Sequence, residues 1–146
     1  MSRISQIMLS DTSQLWEVTG KKVKADAWYG NTDGIHTVSV QYSNFYGGFK
    51  IQGTLSLNPT EDDWFDIGLS SITGPGIGPE IRYPRDTTSP TALNGGDTGI
   101  DAFTFVGNFT FLRALLVRDY LGSTPASNSE ILELDVGAIN KVLLSI

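Results

Sequence analysis

Residues 49–57 read FKIQGTLSL, in which Phe49, Ile51, Leu55 and Leu57 alternate with Lys50, Gln52, Thr54 and Ser56. Successive side chains of an extended chain point to opposite faces, so this pattern predicts a strand with one face on a core and the other in water. Gly53 falls on the apolar side, where it leaves room for a bulky neighbour or marks a bulge. Upstream, HTVSVQY (36–42) repeats the alternation with Val38, Val40 and Tyr42, and the intervening SNFYGG supplies turn residues. The two segments are therefore expected to pair as a hairpin.

Working outward, VKADAWY (23–29) alternates more weakly, GNTDG (30–34) reads as a loop, and QIML and QLWEV read as short strands near the amino end. In DAFTFVGNFTFLRALLVRD (101–119), aromatic and β-branched residues surround a Gly107-Asn108 turn or bulge. Residues 111–117 are apolar on both faces apart from Arg113, which predicts a central strand covered on both sides, with a short helix as the rival reading. AINKVLLSI closes the chain as a strand, with Val142, Leu144 and Ile146 on one face and Ile139 and Leu143 on the other. SNSEILELD, within the long 120–137 connection, reads as a further edge strand. No segment holds a 3.6-residue period over three turns, while turn signals recur about every ten residues, as sandwiches and barrels require. The expectation is one domain spanning 1–146, all-β, an antiparallel β-sandwich of about eight strands with jelly-roll-like connections.

One stretch departs from this pattern. Residues 70–100 hold four of the six prolines and six glycines, and read as a long Gly/Pro-rich loop insertion. Such a loop inside a compact domain is usually a functional arm or a flexible insertion. Laid across a neighbour, it would recover its ordering entropy by burying Ile77, Ile81, Tyr83 and Leu93, the expected interface residues.

Composition narrows the chemistry. The 146 residues carry a net charge of −6, and the ten basic residues are scattered apart from Lys21, Lys22 and Lys24. Nucleic acid is not expected as a partner, because phosphate binding needs a basic footprint. With no cysteine there is no disulfide, thiolate nucleophile or Cys-based zinc site, and the single histidine, His36, rules out multi-histidine sites. No stretch approaches the roughly 18 apolar residues of a membrane helix.

The residues that invite a catalytic reading favour architecture on inspection. Glu61, Asp62, Asp63 and Asp66 crowd around Trp64 and Phe65, but Asn58-Pro59-Thr60 before them is strong turn chemistry. Adjacent side chains on an extended chain diverge, and the EF-hand spacing is missing, so no metal is expected. A glycosidase would need a facing carboxylate from another loop, such as Asp97 or Asp101. His36 lacks a GxSxG serine partner and reads as a hydrogen-bonded loop histidine. Glycines 74, 76 and 78 are interrupted by prolines and followed by no GK[ST], so they form no phosphate loop. Trp64 beside Phe65 reads as a core plug; Trp28 is the candidate to stack on a sugar. Arg113 must be paired if buried, with Asp63, Asp66, Asp101 or Asp119 as candidates. No catalytic set, metal or cofactor is expected.

Three pieces in order, IQGTLSL, DDWFDI and GNFTFLRA followed by INKVLLSI, resemble a small β-sandwich module recurrent in virion proteins of tailed bacteriophages, and also discoidin-like jelly rolls. The resemblance covers residues 36–69 and 101–146 and rests on hydrophobic spacing together with Trp64, Asn108 and Arg113. It implies a non-enzymatic structural protein, a capsid decoration or a neck, tail or baseplate component, assembled in the host cytoplasm and resident in the virion. Its implied partners are other virion proteins and copies of itself. The alternative is a carbohydrate-binding module that holds a host glycan on Trp28.

Overall fold

The computed structural model describes residues 5–12, 17–30, 33–45, 47–72, 77–83, 97–117 and 137–145. Its strands are β1 (Ser5–Leu9), β2 (Glu17–Thr19), β3 (Val23–Lys24), β4 (Ile35–Phe45), β5 (Gly47–Thr54), β6 (Phe65–Asp66), β7 (Leu69–Ser71), β8 (Ile77–Gly78), β9 (Ile81–Tyr83), β10 (Asp97–Val106), β11 (Phe111–Val117) and β12 (Ala138–Ser145). They form two antiparallel sheets. The first runs β1-β12-β4-β10-β7-β8; the second runs β2-β11-β5-β6, with β3 also on β11 and β9 also on β5. The chain passes from one sheet to the other at most connections, in the manner of a jelly roll, and the fold is the expected all-β sandwich.

Alternation fills the space between the sheets. Val38, Val40 and Tyr42 of β4 and Phe103 and Phe105 of β10 face Phe49 and Ile51 of β5 and Leu112, Ala114 and Leu116 of β11 in one buried cluster. A fully buried Phe or Ile of this kind contributes about 1.5–3 kcal/mol relative to exposure. Gly53 belongs to the same face: a Cβ there would lie 2.9 Å from Phe109 and 3.0 Å from Ile67, so the missing side chain is what admits the Phe109 ring.

Several expectations are corrected. β4 and β5 do not form a hairpin; β4 pairs with β10 and β12, β5 with β11, and the chain changes sheets between Phe45 and Gly47. The same holds for the Gly107 turn, which carries the chain from β10 to β11 in the opposite sheet. β5 ends at Thr54, where its pairing with β11 ends at Phe111, and Leu55 and Leu57 leave the sheet for solvent. VKADAWY keeps only Val23–Lys24 as strand before a turn at 26–30. In β12 the register shifts between Ile139 and Lys141, and this bulge brings Ile139 onto the buried face with Val142 and Leu144.

The 70–100 stretch is not one structureless loop, because β7, β8, β9 and the start of β10 come from it. Ile81 and Tyr83 are buried in the sandwich, with Tyr83 packed on Tyr42 and Phe45. These two of the expected interface residues are thus occupied inside their own chain, since pairing of β9 with Gly47–Phe49 draws them into the core. The Ile77 side chain, Leu93, SNSEILELD, Asp119 and Trp16 lie outside the described residues.

Candidate functional site

The acidic cluster resolves into a fastened turn. Glu61–Asp63 form a single 3-10 turn, and the Asp63 carboxylate accepts hydrogen bonds from the Thr60 backbone N–H (2.7 Å) and hydroxyl (3.2 Å), closing the turn on itself. Asp66 accepts from Gln52 Nε2 at 2.8 Å and faces Lys50 Nζ at 3.5 Å. Glu61 reaches across the sheet to Arg113. Among the described residues no three His, Asp or Glu side chains converge on one point; of the two facing acids named above, Asp101 is in the other sheet, where its Oδ2 accepts from the hydroxyls of Tyr42 and Tyr83, and the Asp97 side chain lies outside the described residues.

Arg113 explains why Trp64 is where it is. Along β11, Leu112, Ala114 and Leu116 point into the core, so Phe111, Arg113 and Leu115 point to the outer face of the second sheet. Local side chains cover that outer row. The Arg113 guanidinium donates both Nη groups to Glu61 (3.3 and 3.1 Å) and Nε to Gln52 Oε1 (2.9 Å), and lies 4.3 Å over the Trp64 ring. The partner is therefore Glu61 rather than the expected aspartates: Asp63 and Asp66 are engaged elsewhere, and the longer glutamate spans the distance. Trp64 is correspondingly not a core plug but a half-buried lid on the outside of the sheet. Hydrogen bonding to Arg113, with its positive charge adding to the effect, holds the Glu61 carboxyl below its ordinary pKa.

Trp28 sits in the turn at 26–30, and the turn is anchored from beneath. The Ala25 and Ala27 N–H groups donate to the carbonyls of Thr110 and Phe109, and the Tyr29 N–H donates back to the Asp26 carbonyl. The Asp26 carboxylate is buried; its Oδ1 accepts from the Phe109 N–H at 3.0 Å and lies 3.1 Å from His36 Nε2. His36 Nδ1 lies 3.0 Å from the Gly34 carbonyl, and the ring stacks on Phe105 at 4.7 Å, nearly parallel. Both ring nitrogens thus face oxygen acceptors, and every contact is a hydrogen bond only when the ring holds two protons or Asp26 holds one. Asp26 Oδ2 is buried with no partner among the described residues. His36 is accordingly no loop histidine: it is the second residue of β4, fully buried, and its aspartate partner lies ten positions upstream, a pairing that no local motif signals.

Above this buttress Trp28 and Tyr29 are each 43% exposed. The Trp28 ring lies 5.4 Å from Phe111; Lys24 Nζ stands 4.6 Å over Trp28 and Lys22 Nζ 4.5 Å over Phe111. Trp28 was legible in the sequence as a candidate ligand surface, whereas its link to the lysines and to the Asp26–His36 pair was not. Farther along the same end of the sandwich, Ile35 and Val106 are register neighbours, and Leu55 and Phe65 border the 107–110 loop through Thr110 and Phe109. These four and Leu57 are exposed, Val106 by 75% and Leu55 and Leu57 by 66% each. No family model, curated protein or solved structure matches the chain.

Proposed function

We propose that the protein is a non-enzymatic structural component of a tailed-phage virion, resident in the particle, acting through interfaces with other virion proteins and copies of itself. The observation that carries this reading is the apolar end of the sandwich, where Ile35, Leu55, Phe65 and Val106 face solvent around the 107–110 loop. Clustered exposed apolar side chains of this kind mark protein–protein contact surfaces. The resemblance of the Trp64 and Asn108–Arg113 segments to virion β-sandwich modules supports it. The test is light scattering of the purified chain against a Leu55→Glu/Val106→Glu variant with an unchanged circular dichroism spectrum. A discrete oligomer that the charged variant reduces to monomer is the expected result; a wild-type chain that stays monomeric and binds no virion protein refutes the reading.

A second reading, a glycan-binding module, is favoured by one observation, the exposed Trp28 and Tyr29 side chains on a hydrogen-bonded turn. Glycan-array binding that Trp28→Ala abolishes would support it, and an array with no signal would remove it.

A further inference from the structure

We propose that the Trp28 turn, with Lys22 and Lys24, is a binding site for an acidic saccharide, a sugar carrying a carboxylate or sulfate group; the inference rests on the glycan-binding reading and states which class of glycan fits. Three observations converge on it.

The first is charge. The chain carries −6 overall, and its one local run of basic residues, Lys21, Lys22 and Lys24, leads into this turn. Lys22 and Lys24 place their ammonium groups over aromatic faces, and neither is bonded to a carboxylate among the described residues. Held over the rings and without a carboxylate partner among the described residues, both ammonium groups can still meet an external anion. The second is shape. A pyranose presents a face of C–H bonds that packs on an indole ring, and Trp28 presents one that is 43% exposed. An acidic peptide would use the lysines but has no need of the exposed indole.

The third is support. An exposed loop aromatic is normally free to move, but this turn is held by Asp26, whose carboxylate is buried against His36 and the Phe109 N–H. Burying such a pair is costly, and the return here is a ring platform fixed before any ligand arrives. The ammonium groups and the exposed part of the Trp28 ring thereby form one surface: the sugar ring packs against Trp28 beside Lys24, and its acid group lies toward Lys24 and Lys22.

The experiment is titration of the full chain, followed by calorimetry and by amide and indole NMR, with four probes: a uronate oligosaccharide, a sulfated oligosaccharide, a neutral glucan of matched length and poly-glutamate. The expected result is binding of one or both acidic sugars, weakened by salt, with the Trp28 indole resonance shifted. Trp28→Ala is expected to weaken binding about tenfold or more, and Lys22→Gln/Lys24→Gln to remove the preference for acidic over neutral sugar. Both are surface changes, and Asp26→Asn tests the buttress separately. Equal binding of the neutral glucan overturns the acidic assignment while leaving the glycan reading intact. Binding of no saccharide overturns both. Poly-glutamate binding as tightly as the sugars, or insensitivity to Trp28→Ala, assigns the lysines to an acidic protein segment and overturns the proposal.

Discussion

Replacing Asp26 by alanine tests how much of the fold hangs on the buried corner beneath the Trp28 turn. The substitution strands two donors at once, the Phe109 N–H and His36 Nε2, in a place where the His36 ring is fully buried between Phe105 and Phe109. Leaving a buried donor without an acceptor costs about 1–3 kcal/mol, so two stranded donors cost about 2–6 kcal/mol. For a chain of this size each kcal/mol moves the midpoint by about 2–4 °C, so the expected loss is about 4–24 °C by thermal denaturation. His36→Phe keeps a ring against Phe105 but leaves the Asp26 carboxylate buried with the Phe109 N–H alone, at a similar expected cost. The double variant removes both polar groups and strands only the Phe109 N–H, so the two costs are expected to be non-additive by about 1.5–3 kcal/mol. Amide exchange gives a local readout, with the Phe109 N–H protected in the wild type and exchanging in Asp26→Ala. An Asp26→Ala loss under about 1 kcal/mol, or strictly additive costs, would refute the reasoning, because an unpaired donor in that corner would then have found solvent.

Glu61 predicts an acid-sensitive contact. Its folded-state pKa lies below the unfolded value, so the pairing with Arg113 stabilises the fold above the ordinary carboxylate range and is lost as pH falls through the depressed folded value. Acid titration is expected to shift the Trp64 indole resonance in that window, and Glu61→Gln to abolish the shift; because Glu61 is largely exposed, the effect on global stability is small. Gly53→Ala drives a methyl to within 3.0 Å of Phe109 and Ile67, with an expected destabilisation of about 1–3 kcal/mol by urea denaturation. A neutral outcome would mean that the Phe109 ring retreats freely. Asp101→Ala removes the acceptor for the Tyr42 and Tyr83 hydroxyls, both ring-packed between the sheets; a loss of about 1–3 kcal/mol with altered tyrosine absorbance is expected.

Legibility followed the range of the physics involved. Whether a segment is extended, and which of its residues share a face, depends on near neighbours in the chain, so β4, β5, β10, β11 and β12, the covered outer row of β11 and the space left by Gly53 could all be read from alternation. Which site residue meets which was less visible. Arg113 demanded a partner, but the competition among Glu61, Asp63 and Asp66 was settled only once Thr60 and Gln52 had claimed the two aspartates. Trp64 and Phe65 looked equally apolar, yet the guanidinium over Trp64 placed it outside the sheet.

By itself, the sequence determined that this chain builds half-buried strands, that its acidic cluster is a turn, and that Trp28 stands apart from the core pattern. Tertiary structure alone decided that the chain changes sheets between Phe45 and Gly47 and again at Gly107-Asn108, that Ile81 and Tyr83 lie inside, and that Asp26 pairs with His36 beneath Trp28. The reason is that period-two alternation records only whether a side chain meets apolar matter or water. Which apolar matter it meets depends on contacts between residues far apart in the chain, and a turn signal is the same whether the next strand joins its own sheet or the facing one.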